Sequence, residues 1–347
     1  HILQDFYKNK KILITGSSGF VGSWLIMALH NMGAILYGIS LEPNTSPSLF
    51  KILNLEKKIH QKYVNICNYV KLSKSIKEVS PDIVFHLAAQ PLVRESYLNT
   101  IETFNTNVMG TLNVLESCKE LDNDINLICI TTDKCYENNE FGERFKEADP
   151  LGGKDPYSAS KACTEILTKS HAVSFNSLKL CTARAGNIIG GGDWAKDRIV
   201  TDLVKSITQN NDVIIRNPEA IRPWQHVIDV IDGYLKLGFY NQEKKEIFNS
   251  FNFGPFEENE IDVRTLAEKF ASNWKLSSPR IVIDKNKNLP ESKILRLNSL
   301  KAREVLGWEP KLDIDSTIKE TSDWYEAFYA KKDIYEFTSE QIKKYLY

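Results

Sequence analysis

The chain has 347 residues, of which 42% are hydrophobic and 26% charged, and its formal net charge is −1. This length and composition predict a globular chain with one large domain and a smaller one. The near-neutral charge comes without a basic stripe, so nucleic acid is not an expected partner. No apolar run approaches the roughly 18 residues of a membrane span, so no membrane partner is expected.

The six cysteines lie mostly within apolar segments and lack the spacing of zinc ligands, so we expect no metal site. Such cysteines are typical of reduced core residues in a cytoplasmic protein. No segment resembles a signal peptide, which also favours the cytoplasm.

The chain opens with a predicted strand, a glycine-rich turn and a helix. Residues 1–10 are polar and are expected to form a short lead-in, and residues 11–15 predict a buried strand. The three glycines that follow have G-x-x-G-x-x-G spacing, and apolar residues then recur at helical spacing. Glycines permit a tight turn and let the backbone approach a pyrophosphate, whose charge meets the helix N-terminus. The turn predicts dinucleotide binding by Gly16, Ser17, Gly19, Phe20, Val21 and Gly22.

Three more apolar runs, residues 34–39, 62–66 and 83–89, predict the next strands. Ser40 stands where dinucleotide-binding folds often carry an acidic residue, and no arginine follows to bind a 2′-phosphate, which favours NAD over NADP. His86 lies within an apolar run and is predicted to be a core histidine. Cofactor contacts are expected from the ends of the later two strands, at Asn65 and Ile66 and at Leu87, Ala88, Ala89 and Gln90.

Residues 127–130 predict a buried strand that delivers polar groups at its carboxyl end. Downstream, Asp155 is a suitable N-cap and Pro156 suits a first helical turn. Tyr157 and Lys161 would then share one helix face, where a lysine favours the phenolate and makes the tyrosine a base. Tyr-x-x-x-Lys alone is common on helices, so this interpretation depends on the motifs that precede it.

Strands and helices alternate from residue 11 onwards, which predicts a Rossmann-type doubly wound parallel sheet. Asn107 opens a helix and could contact the cofactor or be a buried structural amide, two interpretations that remain open. We expect an NAD-binding domain in residues 1–185 and a smaller C-terminal α/β substrate-binding domain in residues 186–347. The chain could cross back between them.

Together the glycine turn, Thr132 and the Tyr157-x-x-x-Lys161 motif resemble the extended short-chain dehydrogenase/reductase family of NAD-dependent epimerases and dehydratases. The resemblance runs from about residue 10 to about residue 328. The longer segments are most similar to the CDP-glucose 4,6-dehydratase branch, and these are residues 47–50, 86–94, 132–138, 184–194, 221–227 and 306–310.

The resemblance implies a reaction cycle on a nucleotide-bound hexose with NAD as cofactor. Tyr157 would take the proton of the 4-hydroxyl, which Thr132 hydrogen-bonds, while C4 gives a hydride to NAD. Lys161 would hold the nicotinamide ribose. Asp133 would protonate the departing 6-hydroxyl and Lys134 would take the C5 proton, so that water is lost across C5–C6. The hydride returns to C6, which makes the product a 4-keto-6-deoxy sugar and the enzyme a hydro-lyase.

The same resemblance implies that the C-terminal part binds the sugar nucleotide, with CDP-glucose as the expected substrate. Arg198 and Arg222 match diphosphate-contacting positions, where a guanidinium can bond two phosphate oxygens. Arg216 is the last residue of the strand expected to meet the base, residues 213–216, and Arg94 and Asn187 complete the expected substrate contacts. The resemblance also implies a homodimer, with a tetramer as the alternative, and a place in deoxysugar, O-antigen or capsule biosynthesis.

Three positions depart from the family pattern: Asn65 and Asn298 each replace a usual Asp, and residues 289–292 replace a Pro-His-Glu-Ala run. They are consistent with a different sugar or nucleotide. Two rival functions remain open. A non-dehydrating epimerase or reductase would not need an acid–base pair directly after Thr132, and a non-enzymatic dinucleotide sensor would not need both Tyr157 and Lys161.

Overall fold

The computed structural model describes residues 2–121, 123–244, 246–274, 280–284 and 292–347. The strands are β1 (Lys11–Thr15), β2 (Ile35–Ser40), β3 (His60–Tyr63), β4 (Ile83–His86), β5 (Asn126–Ile130), β6 (Lys179–Ala185), β7 (Ile188–Ile189), β8 (Val213–Ile215), β9 (Ile221–Pro223), β10 (Gln225–His226), β11 (Phe248–Phe253), β12 (Glu260–Asp262) and β13 (Ile281–Ile283). The helices are α1 (Ile2–Tyr7), α2 (Phe20–Asn31), α3 (Leu49–Ile52), α4 (Tyr69–Val79), α5 (Val93–Leu98), α6 (Thr100–Phe104), α7 (Gly110–Lys119), α8 (Pro156–Phe175), α9 (Ile199–Gln209), α10 (Val227–Glu243), α11 (Val263–Asn273), α12 (Leu300–Leu306), α13 (Ile314–Tyr329) and α14 (Ile334–Leu346).

Seven strands form one sheet in the order β3-β2-β1-β4-β5-β6-β11. Every neighbouring pair in it is parallel; for example, Ile14 lies opposite Gly38 on one side and Phe85 on the other. Strand order reverses between β1 and β4, which is the switch point where such folds bind ligands. The predicted Rossmann-type doubly wound sheet is confirmed.

The seventh strand comes from the second of the two expected domains. Strand β11 pairs with β6 along its length, so the chain returns to the main sheet after residue 186. Helix α10 packs on β5 and β6 before that return. The remaining strands form three small pairs, β7 with β10, β9 with β12 and β8 with β13. A boundary near residue 185 stays a prediction.

The first ten residues are not only a polar lead-in, and that expectation is wrong. Residues 2–7 form helix α1, and Tyr7 is fully buried. Its hydroxyl donates to the Leu235 carbonyl oxygen at 2.7 Å, and its ring packs near Phe85. The polar composition of this segment did not reveal that Tyr7 is a buried side chain that anchors α1 to α10.

The third strand also differs from its predicted bounds, since it ends at Tyr63 rather than at residue 66. The side chain of Asn65 accepts a hydrogen bond from the Cys67 backbone N–H at 2.9 Å. Such a local side-chain turn competes with strand pairing and ends the strand. Ile66 is still buried, but it packs against Gly110 from outside the sheet.

Helix α11 packs its apolar face into the core, where Leu266 and Phe270 are buried, as is Trp274 directly after the helix. Within the described ranges, no helix is long and apolar enough to cross a bilayer. The same residues contain no group of three or more His, Cys, Asp or Glu side chains that could hold a metal ion.

Candidate active site

The glycine-rich turn packs against the end of β4, and its shape demands glycine. Gly16 has φ +71°, and a Cβ there would lie 2.8 Å from the Ala88 backbone nitrogen. A Cβ on Gly22 would lie 2.4 Å from the Gly16 carbonyl oxygen. Helix α2 then starts at Phe20, and its N-cap Gly19 offers no side-chain acceptor to the first-turn N–H groups. Those N–H groups suit an anion, so the turn fits the pyrophosphate of a dinucleotide.

The end of β2 carries a chain of neutral hydrogen bonds that sequence reasoning missed. Ser17 Oγ donates to Gln61 Oε1 at 2.8 Å, and Gln61 Nε2 donates to Ser40 Oγ at 2.9 Å. A Cβ on Gly38, which pairs with Gln61 across β2 and β3, would lie 2.1 Å from Gln61 Oε1. The signal was this glycine in the middle of a strand. Other such folds often carry an acidic side chain at this position. Here the position holds the Ser40 hydroxyl, which the Gln61 side-chain amide orients.

Asn107 forms the contacts of a structural amide. Its Oδ1 accepts from the Gln90 N–H at 2.8 Å, and its Nδ2 donates to the Gln90 carbonyl oxygen at 3.1 Å and to Ser160 Oγ at 2.9 Å. These bonds tie the segment after β4, Leu87 to Gln90, to helix α8. Of the two interpretations left open, the structural one is confirmed, and cofactor contacts by Asn65, Asn107 and residues 87–90 stay predictions.

His86 is a hydrogen-bonded core histidine, as predicted. Its Nδ1 lies 2.6 Å from Thr15 Oγ1 and its Nε2 lies 2.9 Å from Thr111 Oγ1. Burial, and secondarily the charge of Lys161, lowers the pKa of His86 to about 3. The imidazole is thus neutral at physiological pH and holds β1, β4 and α7 together beneath the site.

The chain turns sharply where β5 ends. Thr132 Oγ1 donates to Asp133 Oδ1 at 3.1 Å and accepts from the Lys134 N–H at 3.3 Å. A 3₁₀ turn over Asp133–Cys135 follows. The turn directs Asp133 into the interior and leaves Lys134 partly exposed. We call Thr132–Lys134 the catalytic turn, after the catalytic role that stays a prediction for these three residues.

The Asp133 carboxyl lies in a pocket made by the chain after β6. A Cβ on Gly186 would lie 2.0 Å from Asp133 Cγ, so only glycine leaves room for the carboxyl group. Asn187 Nδ2 donates to Asp133 Oδ2 at 3.3 Å. Burial raises the pKa of Asp133, against the opposing effects of Lys134, Thr132 and Arg222. The upward shift favours a protonated carboxyl, which the predicted role of Asp133 as an acid requires.

Helix α8 presents Tyr157 and Lys161 on one face, as predicted. Asp155 caps the helix by accepting from the Ser158 N–H at 2.9 Å. Both Tyr157 and Lys161 are buried. The Lys161 ammonium donates to the Ile130 carbonyl oxygen at 3.1 Å, which joins α8 to the end of β5.

The expected lowering of the Tyr157 pKa is wrong. Burial raises the pKa of Tyr157 to about 12, although a hydrogen bond with Thr132 and the charge of Arg198 pull it down. Desolvation outweighs these effects because a phenolate loses its water shell in the interior. The spacing correctly predicted that Lys161 shares a helix face with Tyr157. Its ammonium, however, donates its hydrogen bond to the Ile130 carbonyl oxygen.

Three of the predicted substrate arginines meet at one acidic loop. Arg216 Nη1 lies 2.7 Å from Asp197 Oδ1, and Arg94 Nε lies 3.8 Å from the same oxygen. Arg198 Nε lies 3.7 Å from Asp193 Oδ2. The structure therefore gathers side chains from three distant parts of the sequence, and their role in binding substrate stays a prediction.

Arg222 differs from these three because it is buried. Its Nη1 donates to the carbonyl oxygens of Ile221 at 2.9 Å and Lys293 at 3.3 Å. Its charge lowers the pKa of Asp133, so the two side chains act on each other through the site. Trp224 is also buried and its Nε1 donates to the Ile261 carbonyl oxygen at 3.0 Å, which holds the strand in place.

Of the remaining departures from the family pattern, residues 289–291 lie outside the described residues. Asn298 lies inside them and has a structural role. Its Oδ1 accepts from the Leu300 N–H at 2.9 Å, and its carbonyl oxygen accepts from Asn252 Nδ2 at 3.2 Å.

The sequence model of the GDP-mannose 4,6-dehydratase family matches residues 13–321. The chain belongs to this family. It is 39% identical to the CDP-glucose 4,6-dehydratase of Salmonella typhimurium (strain LT2) over 99% of this chain and 98% of that relative. It is 25% identical to the UDP-glucose 4-epimerase of Mycoplasma pneumoniae over 92% of this chain and 97% of that relative.

Solved structures agree on the fold. The UDP-glucose 4-epimerase of Thermotoga maritima superposes with a TM-score of 0.78 at 23% identity, covering 92% of this chain and 99% of that one. The dTDP-glucose 4,6-dehydratase of Bacillus anthracis, solved in complex with NAD, gives a TM-score of 0.77 at 22% identity and covers 92% and 98%. The chain is thus an epimerase/dehydratase homologue with a Rossmann-like α/β fold.

Proposed function

We propose that the chain is a nucleotide-sugar 4,6-dehydratase, and that its substrate is CDP-glucose. The observation that carries this is the acid–base pair of the catalytic turn, with Asp133 buried and Lys134 beside it directly after Thr132. The Salmonella typhimurium CDP-glucose 4,6-dehydratase, 39% identical over nearly the whole of both chains, supports the nucleotide and the sugar.

The first part of the reaction falls to Tyr157 and Thr132. Bound NAD would supply reversible hydride storage, held by the glycine turn and by Lys161. The Tyr157 phenol, once deprotonated, takes the proton of the 4-hydroxyl, and Thr132 orients that hydroxyl. Thr132 is among the groups that lower the pKa of Tyr157, which supports pairing these two residues in the first step.

The second part of the reaction falls to Asp133 and Lys134. A ketone at C4 acidifies the hydrogen on C5, which the neutral Lys134 amine removes. Asp133 gives its proton to the leaving 6-oxygen, a task that its burial and raised pKa support. Return of the stored hydride to C6 and of a proton from Lys134 to C5 would then complete the 4-keto-6-deoxy sugar. The 3₁₀ turn allows two adjacent residues to reach neighbouring carbons of one sugar ring.

The nucleotide diphosphate would lie between the arginines and the catalytic turn. The charge of Arg198 lowers the pKa of Tyr157 and that of Arg222 lowers the pKa of Asp133, which supports placing both guanidinium groups toward the reacting end. Arg94, Arg216 and Asn187 extend the same surface, since Asn187 bonds Asp133 and the two arginines share Asp197. Guanidinium groups pair well with phosphate oxygens.

The test is incubation with CDP-, UDP-, dTDP- and GDP-hexoses in D₂O, followed by mass analysis of the products. CDP-glucose should give a 4-keto-6-deoxy product 18 mass units lighter before deuterium is counted, because water is lost. Asp133→Asn should still reduce NAD with substrate but release no water, and Lys134→Met should not exchange the C5 hydrogen. Asp212→Asn, an exposed carboxylate of helix-flanking loop 210–212, is the matched control. An unaltered-mass epimer without C5 deuterium would establish the epimerase function instead.

We further propose a cytoplasmic homodimer that serves deoxysugar synthesis for O-antigen or capsule. Helices α6 and α8 pack side by side, and large apolar side chains stand exposed on and around them. These side chains are Leu98, Ile101, Met109, Ile166, Val173 and Phe175. Two copies of this face would form a four-helix interface around a two-fold axis.

Light scattering after gel filtration tests the dimer. Ile101→Asp should give a monomer, because a charge would be buried at the centre of the interface. Val70→Asp, an equally exposed position on α4, should leave the dimer intact. A wild-type monomer at micromolar concentration contradicts the proposal, and a tetramer that Ile101→Asp reduces to dimers favours the alternative assembly.

A further inference from the structure

A buried carboxylate continues the catalytic face of helix α8. Glu165 lies four residues after Lys161, so Tyr157, Lys161 and Glu165 occupy successive turns of one face. Its carboxylate is almost fully buried and accepts from Thr182 Oγ1 at 2.8 Å and from Thr131 Oγ1. Thr131 directly precedes the catalytic turn, so Glu165 fixes the point where that turn begins.

The partner of Glu165 is a buried arginine that reaches the other end of the turn. Arg184 Nη2 donates to Glu165 Oε2 at 2.7 Å, and Arg184 Nη1 donates to Tyr136 Oη at 2.8 Å. The Tyr136 hydroxyl donates in turn to Asn252 Oδ1 at 2.6 Å, and its ring stacks on Phe145 with centroids 4.9 Å apart. Tyr136 follows the 3₁₀ turn directly.

We infer that the Glu165–Arg184 ion pair is a positioning device, which fixes the catalytic turn at both ends relative to the helix that carries Tyr157 and Lys161. We call the two residues, with Thr131 and Tyr136, the buried clamp. The inference rests on the proposed function, because it assigns the geometry of that same site. Glu165 and Arg184 are positioning residues and need no contact with substrate.

Stability alone is a weak reason for such a pair. Burying two charges carries a large desolvation cost, and apolar replacements of buried ion pairs are often neutral or stabilising. Here the carboxylate takes hydroxyl hydrogen bonds from the strand β6 and from Thr131, while the guanidinium fork reaches Tyr136. Such directional bonds fix distances, which an apolar contact between the same elements would not do.

Charge gives Glu165 a second effect on the same site. Burial lowers the pKa of Lys161, and the neighbouring Cys129 and Glu165 oppose that shift. Removing the Glu165 charge would therefore make Lys161 lose its proton at lower pH. If Lys161 acts as a cation, the alkaline limb of the rate profile moves with it.

The decisive variant is Glu165→Gln, which keeps the shape and loses the charge. We expect kcat to fall about 10²-fold, the cost of a small misplacement of reacting groups, with the KM for the nucleotide sugar within about threefold of wild type. The alkaline limb of the kcat profile should move to lower pH. Amide hydrogen exchange of residues 131–136 should become faster.

The matched control is Glu116→Gln on α7, which removes a carboxylate that pairs with His171 of α8 at 3.1 Å, away from the catalytic turn. It should change none of the three readouts. Tyr136→Phe provides a second, milder test, because it deletes only the hydroxyl link and retains the ring stack. We expect about a 10-fold loss in kcat with unchanged KM.

The inference is overturned if Glu165→Gln lowers only the melting temperature and leaves kcat, the pH profile and exchange at 131–136 as in wild type. If Glu165→Gln does not fold, Tyr136→Phe decides, and a wild-type kcat then overturns it. Failure of the proposed function is seen separately, because it leaves the wild type without a dehydrated product. The clamp is then judged by exchange at 131–136 and by NADH formation, which an epimerase would also show.

Discussion

The two ends of the candidate site are built in opposite ways. At the end proposed for proton transfer, Thr132, Asp133, Tyr157 and Lys161 are all at most 8% exposed. At the end proposed for diphosphate binding, the side chains of Arg94, Arg198 and Arg216 are 34%, 36% and 33% exposed. Apart from the partly exposed Lys134 the first end is buried, and apart from the buried Arg222 the second end is open to solvent.

The difference follows from what each end must do. Proton transfer needs shifted pKa values, and only desolvation and fixed neighbours supply them. Diphosphate binding needs cations that a ligand can reach. The exposed pairs of Arg94 and Arg216 with Asp197 contribute roughly 0–1 kcal/mol each, so exchanging a carboxylate for a phosphate costs little.

The largest effect is expected at the buried end. Tyr157→Phe removes the proposed general base while the ring still fills its place, and should cost about 10²–10⁴ in the rate of NAD reduction by substrate. Fold and cofactor affinity should stay near wild type, as checked by titration. Tyr69→Phe, an exposed tyrosine bonded to Glu120, is the control. Near-native turnover by Tyr157→Phe would remove Tyr157 from the mechanism.

The sequence was sufficient to predict those parts of the fold that local residue patterns specify. The glycine turn, the cap at Asp155 and the i,i+4 pair Tyr157–Lys161 are written in consecutive residues, and the parallel sheet follows from alternation. Each of these features depends on neighbours within a few positions, so reading the chain in order recovers them.

The missing parts depend on contacts between distant segments. The pocket around Asp133 comes from Gly186, more than fifty residues away, and the hydrogen bonds of Gln61 join β3 to the glycine turn. The raised pKa of Tyr157 depends on burial, which spacing on a helix does not reveal. Glu165 had one local signal, its position one turn beyond Lys161, but its partner Arg184 lies on another element.

A smaller loss of activity is expected from the arginines proposed to bind the diphosphate. The loss should differ between the buried Arg222 and the exposed Arg216. Arg222→Ala should raise the KM for the nucleotide sugar about 10- to 100-fold, the value of a hydrogen-bonded charge, with a lesser fall in kcat. Arg216→Ala should raise it less, because an exposed side chain is screened, and its effect should shrink as salt is added. Initial rates over substrate concentration measure both.

The comparison of Arg222 with Arg216 has its own control variant. Arg222→Lys should recover only part of the affinity, since lysine lacks the planar fork. If Arg222→Ala binds the substrate as wild type does, the buried arginine serves the fold or Asp133 alone. Equal effects of the two alanine variants at low and high salt would mean that burial does not distinguish them.

The smallest expected effect concerns the stability cost of the buried end. The pKa of His86 is about 3 in the folded chain, through burial and then the charge of Lys161, against an ordinary value near 6.5. At pH values between these two pKa values, His86 is protonated in the unfolded chain and neutral in the folded chain. Folding stability from this group is therefore full above pH 6.5 and is lost as pH falls, by about 1.4 kcal/mol per pH unit.

Replacing the imidazole should remove that dependence. His86→Asn is expected to be less stable than wild type at pH 7.5, because Thr15 and Thr111 lose a shared partner. At pH 5.5 the difference in free energy of unfolding between the two proteins should narrow by about 1.4 kcal/mol. Only the wild type is destabilised there, because its histidine stays neutral in the folded chain. Urea unfolding at both pH values measures the gap, with the exposed His60→Gln as control. A gap that does not change with pH would show that His86 takes up its proton in the folded chain, and the buried end would then tolerate a second cation beside Lys161.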